Sequence, residues 1–216
     1  MKSDSQMKKD VLAELACEPS VNAAHIGVTA RDGVVTLNGS VKSFSEKHRA
    51  EVATKRIGGV RGIVEELKVK LPLLHRRDDA DIASAALRAL EWDSSVPSNT
   101  VQVKVEGAWL TLTGEVDHLF EKRHAEEDMT RLYGIEGLSN QIAVKPSVNT
   151  ESIKNDIEEH FKRHATLDAS EIKIETKEGL VTLRGKAPSW AAKEEALQAA
   201  TLAPGVTEVI DDLTVG

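Results

Sequence analysis

One short pattern recurs three times in this chain at nearly constant internal spacing, which restricts the fold to several copies of a single unit. Residues 33–39 read GVVTLNG, residues 108–114 read AWLTLTG and residues 179–185 read GLVTLRG. The closing glycines, Gly39, Gly114 and Gly185, lie 75 and 71 residues apart. From each, twenty residues lead to another glycine (Gly59, Gly134, Gly205) followed by Val60, Ile135 or Val206, and ten more lead to Val69, Val144 or Val215. Two spacings held constant in three places define units at 6–70, 79–145 and 150–216. Pro72 and Pro146 follow the last strand of the first and second units, where proline ends a strand and stiffens a short linker.

Each unit reads as α-β-β-α-β. A helix opens it, with Val11 and Leu15, Ile82, Ala86 and Leu90, or Ile153, Ile157 and Phe161 at helical spacing. Strict alternation follows in Ile26, Val28 and Ala30, in Val101, Val103 and Val105, and in Ile172, Ile174 and Thr176, the signature of a strand with one buried face. Asp32-Gly33, Gly107-Ala108 and Glu178-Gly179 mark hairpin turns. A second helix carries a stripe of small residues: Ala50 and Ala53, Ala125 and Met129, and Ala192, Ala196 and Ala199. Ser43 and Glu46 stand at capping-box spacing at its start. A right-handed crossover through this helix places the third strand parallel to the second, in a three-stranded mixed sheet with both helices on one face. The fold class is therefore α+β, in three tandem modules. Gly39, Gly114 and Gly185 are expected at positive φ or at a close backbone approach. Glu65, Asn140 and Asp211 fall in the register of buried positions on the third strand, so each is expected to hydrogen-bond locally or to sit at a bulge.

Composition excludes several classes. At about 150 residues per domain, 216 residues suggest one or two domains, which the repeat replaces by three small ones. No stretch reaches the ~18 uncharged apolar residues of a membrane helix, and the start lacks the apolar core of a secretory signal. A chain starting in this way is expected in the cytoplasm, or in the periplasm if a leader has been cleaved. The single Cys17 excludes an intramolecular disulfide, and its setting reads as a buried or semi-exposed structural thiol. There is no nucleotide loop, serine triad or Gly-rich phosphate cradle, so no cofactor is expected.

The pattern of acidic-Gly turn, V-T-L-x-G strand, small-residue helix, Gly-Val and closing L-x-V resembles the BON domain family, named for bacterial osmotically inducible and nodulation proteins. It is carried by residues 32–39 with Gly59-Val60 and 67–69, and by residues 178–185 with Gly205-Val206 and 213–215. The middle unit departs at Gly107-Ala108 and Ile135, which predicts a different hairpin turn there. The resemblance implies a non-enzymatic binding module associated with phospholipid contact, envelope maintenance and osmotic stress. It also reaches cytoplasmic small-ion sensors, which keeps cation sensing as a minor reading.

Charge separates the units. Residues 1–70 hold twelve basic and nine acidic residues, whereas residues 71–145 and 146–216 each hold eight basic and thirteen acidic. The cations of the first unit gather at Lys47, Arg49, Lys55, Arg56 and Arg61, and basic side chains near an anionic bilayer contribute about 1 kcal/mol each. These five are the candidate anionic-surface residues, and Lys47, Arg49, Lys55 and Arg56 are expected on one exposed face, not paired to the acidic units. Nucleic acid is excluded as partner, because the chain is acidic overall and the basic run has no interleaved aromatics. Val34, Trp109 and Leu180 occupy equivalent positions on the sheet face away from the helices, and with Trp190 they are candidate contacts for a protein partner or a second copy of the chain. His160 and His164 stand one helical turn apart but lack a third ligand, so no metal site is predicted. Two functions remain open: docking on anionic phospholipid through the first unit, and protein interaction or chaperone-like scaffolding through the open sheet faces.

Overall fold

A computed structural model describes residues 2–97, 99–145, 150–163 and 171–215. The first module comprises α1 (Asp4–Cys17), β1 (Ile26–Arg31), β2 (Val34–Val41), α2 (Phe44–Lys55) and β3 (Gly62–Val69). The second comprises α3 (Asp79–Trp92), β4 (Val101–Glu106), β5 (Trp109–Val116), α4 (Leu119–Thr130), β6 (Gly137–Asn140) and β7 (Ala143–Val144). The third comprises α5 (Thr150–Arg163), β8 (Ile172–Lys177), β9 (Leu180–Ala187), α6 (Trp190–Leu202) and β10 (Glu208–Val215). In the outer modules the hairpin's second strand is central, antiparallel to the first and parallel to the third, as the crossover rule requires. The middle module keeps this order, except that its last strand is split into β6 and β7.

One face of each sheet is closed by both helices. In the first module Val35 and Leu37 of β2 share a core with Val11 and Leu15 of α1 and with Ala50 and Ala53 of α2. Alanine at the contact lets the helix lie close to the sheet, and four alanines (Ala192, Ala196, Ala199, Ala200) repeat this in α6. The opposite face stays open: Val34 is 40% exposed and Trp109 52%. The Trp109 indole lies over Gly137, where an added Cβ would strike the ring.

The repeated glycines meet two constraints at once. Gly39, Gly114 and Gly185 have φ of 121°, 125° and 126°. A Cβ on each would run into the carbonyl oxygen of His25, Thr100 or Glu171, at the start of the neighbouring strand. The hairpin turns also agree across modules. Asp32 and Gly33 (φ 50° and 80°), Gly107 and Ala108 (58° and 63°), and Glu178 and Gly179 (50° and 86°) all have two successive positive-φ residues, the requirement of a type I′ turn. The different turn expected in the middle module is not found. Its alanine is held at positive φ while the α3 carboxylate of Asp79 accepts the N–H of Gly107 at 2.8 Å and of Ala108 at 2.9 Å.

The α2 cap follows the predicted spacing with a variation. Ser43 Oγ accepts from Glu46 N, while the buried Glu46 carboxylate accepts from the backbone N–H of Lys42 and Asn22. Glu46 thereby satisfies one backbone donor just ahead of the helix and one on the α1–β1 connection, tying the two segments together.

Candidate functional site

The third strand's polar residues determine what the basic helix can do. Glu65 bonds locally: one carboxylate oxygen accepts from Leu67 N at 3.2 Å, and the other pairs with Lys47 Nζ at 3.2 Å. Lys47 also donates to the Leu67 carbonyl at 3.1 Å, and its side chain is only 22% exposed. The third module repeats the device: Lys193 donates to Leu213 O at 2.7 Å and pairs with Asp211 at 2.8 Å, while Asp211 accepts from Leu213 N. In the middle module Asn140 takes the acid's place, accepting from Ile142 N and donating to Lys122 O and Glu126 Oε2. Lys47 therefore anchors α2 to the end of β3.

The other first-module cations stand further out. Arg49, Lys55, Arg56 and Arg61 are exposed. Lys55 pairs with Glu51 one helical turn away at 2.7 Å. Arg56 lies 3.8 Å from both Glu14 and Glu18, contacts too long to be hydrogen bonds. The Glu18 carboxyl is held below its ordinary range first by the Ser20 hydroxyl, 2.6 Å away, and further by the charges of Arg49 and Arg56. Arg61 Nη2 donates to Asp32 O at 2.5 Å, which lays its stem across the hairpin turn. Each ion pair described for these residues is to a carboxylate of the first module. Glu14, Glu18 and Glu65 escaped the sequence reading as partners; their signal is their place at the end of α1 and in the buried register of β3.

On the open sheet faces, Val34 stands beside Gly62 and one register step from Val64, which is 43% exposed. Leu180 is half-buried, with Ile210 37% exposed on the same sheet. The side chain of Trp190 lies outside the described residues, as does His164; His160 is half-buried. Among the described residues no group of three potential metal ligands converges, and no helix is long and apolar enough to cross a membrane. Cys17, expected buried or semi-exposed, is exposed at the end of α1.

Three copies of a small sheet, closed by two helices on one face and open on the other, define the class: a tandem array of small α+β modules. The BON domain model matches residues 3–70, 78–146 and 149–216, and the chain belongs to the BON family. It is similar to osmotically-inducible protein Y of Escherichia coli (strain K12), with 26% identity over 146 residues, covering 66% of this chain and 73% of that protein. Among solved structures it aligns with CdsD, a structural protein of the type III secretion system of Chlamydia trachomatis, at 11% identity, covering 98% of this chain and 92% of that one. The TM-score of 0.26 is too low to carry an argument.

Proposed function

We propose that this protein is a non-enzymatic binding protein of osmotic or envelope stress that docks on anionic phospholipid surfaces through the exposed cations of α2. The observation that carries this reading is the exposure of Arg49, Lys55 and Arg56 on the one module whose charge is net basic. Arg49 and Arg56 are seven residues apart, two helical turns, and therefore share a face. The contacts of Arg56 are long and solvated, so they compete weakly with a lipid phosphate. Arg61 extends the cationic surface towards the hairpin turn, whereas Lys47 contributes through its hold on β3. The name of the Escherichia coli relative supports the link to osmotic stress. The test is co-sedimentation of the full chain with phosphatidylcholine vesicles, with and without phosphatidylglycerol, from about 50 to 300 mM salt. Binding should require the anionic lipid, weaken with salt and drop in an R49E/R56E variant. Salt-independent binding, or none, contradicts the reading.

The second reading, a protein partner on the open sheet faces, draws on Trp109, Val34 and Val64, which leave apolar surface uncovered where the helices do not reach. It takes the lead if vesicle binding is absent.

A further inference from the structure

We propose that the groove between α3 and the end of α4 in the middle module is a binding site for a compact phosphate-type anion, with Arg77, Arg88 and Arg131 as its donors. The groove adjoins the α2 face, since Arg131 also lines the cleft of Arg49 and Arg56, but its other two donors, Arg77 and Arg88, lie outside that face. The groove encloses about 410 Å³ and is lined by these three arginines, Tyr133, Asp81 and a floor of apolar residues including Ile82. Three of the eight basic residues between 71 and 145 meet there, in a segment that carries thirteen acidic ones.

The other modules act as internal controls. Position by position, Arg77, Ala85, Arg88 and Arg131 correspond to Lys2, Asp10, Ala13 and Arg56 in the first module. There Lys2 is neutralised by Asp10 at 2.8 Å. In the third module the positions of Ala85, Arg88 and Arg131 hold Asp156, Glu159 and Leu202, and the same groove again encloses about 410 Å³. The fold therefore supplies the cavity, while its charge is a property of the residues placed in it. Only the middle module replaces the aspartate by alanine, and it does so where the cations are most numerous.

The donors are arranged to receive an anion. Arg77 is fixed: its stem packs over Gly134, where an added Cβ would come within 3.0 Å, and its Nη1 donates to the carbonyls of Leu74 and Arg76. A guanidinium carries five N–H donors, so this anchoring leaves others for a ligand. Arg88 enters no hydrogen bond or ion pair among the described residues. Arg131, itself exposed, lies 3.8 Å from the exposed Glu127 and from the largely buried Asp128, both beyond hydrogen-bond distance. With Asp81 the one carboxylate in the lining, the groove keeps a net positive charge, and planar guanidinium forks match the oxygens of a phosphate group. Such a group is presented equally by free phosphate and by the headgroup of phosphatidic acid.

The test is an amide NMR titration of the full chain with inorganic phosphate at constant ionic strength, with chloride as control. Saturable shifts are expected at residues 77–88 and 131–134. They should weaken about tenfold in Arg88→Gln and in Ala85→Asp, which restores the carboxylate of the other modules. Both are solvent-side changes on α3, and an otherwise unchanged spectrum confirms folding. Vesicles of phosphatidylcholine with phosphatidic acid separate the two sources. Retention that requires Arg88 and is competed by phosphate identifies a lipid headgroup; phosphate binding without Arg88-dependent retention identifies a free phosphate. No saturable shift in the wild-type chain up to about 10 mM phosphate, or equal shifts in both variants, overturns the proposal.

Discussion

Gly39, Gly114 and Gly185 combine a backbone that side chains rarely adopt with a carbonyl oxygen where a Cβ would sit. Strain of this kind costs about 1–3 kcal/mol before any clash is counted. Gly114→Val should therefore lower stability by at least ~2 kcal/mol, read as a lower urea midpoint at unchanged slope. A loss under about 0.5 kcal/mol would mean that the neighbouring strand yields easily. The opposite sign is expected at Ala108, held at φ 63° where the other modules use Gly33 and Gly179. Left-handed backbone costs a residue with a Cβ about 1–2 kcal/mol, and glycine's greater unfolded-state freedom returns roughly half to one. Ala108→Gly should thus stabilise the middle module by up to ~1 kcal/mol. A lowered midpoint would show that Asp79's bonds to this turn already offset the strain.

At the scale of elements, α2 and α6 are each tied to the following strand by a lysine that serves a carboxylate and a carbonyl together. The middle module substitutes an amide whose Nδ2 donates to Glu126 Oε2 at 3.1 Å. Asn140→Asp would replace that donor by a second carboxylate and turn the contact repulsive. The variant should lose about 1–2 kcal/mol at neutral pH. Because the repulsion raises the new group's folded-state pKa, the deficit is largest above that pKa and shrinks as pH falls through it. Unfolding midpoints of both proteins from pH 7 to about 4 should converge, and a constant gap would sink this account. Asp117, hydrogen-bonded to Lys145 at 2.7 Å, has its carboxyl lowered first by that bond and then by the lysine's charge. Its contribution is present above the unfolded aspartate pKa and lost as pH falls through the folded one. Lys145→Met should move its NMR titration midpoint upward. The modules, strand alternation and turn positions were legible because each is local and thrice repeated. Lys47's role was not, since it depends on which end of β3 lies beneath α2, and a basic helix reads alike whether its cations face solvent or strand. Arg77, Arg88 and Arg131 were hidden for a similar reason: they meet only through the fold, and their one sequence signal is Ala85 standing where Asp10 and Asp156 stand in the flanking repeats.

Across the whole molecule the charge is uneven, with a basic first module joined to two acidic ones and a formal net charge of −7. An anionic membrane therefore attracts one third of the chain and repels the rest. The repulsive part is adjustable, because the sequence pI is about 5.6 and the net charge shrinks as pH is lowered towards it. Moving from pH 7.5 to about 6, close to the pI, reduces the net negative charge while the guanidinium groups of Arg49 and Arg56 keep theirs. Affinity for phosphatidylglycerol vesicles should therefore rise several-fold over this interval at about 50 mM salt, where the Debye length is long enough for the acidic modules to feel the surface. The rise should flatten at about 300 mM, as screening removes the long-range repulsion first. In the R49E/R56E variant binding should stay weak throughout, since a smaller net negative charge does not replace the two lost cations. Co-sedimentation on this grid of pH and salt measures both terms. Binding that weakens towards pH 6 would contradict electrostatic docking through the first module, whatever the affinity at neutral pH.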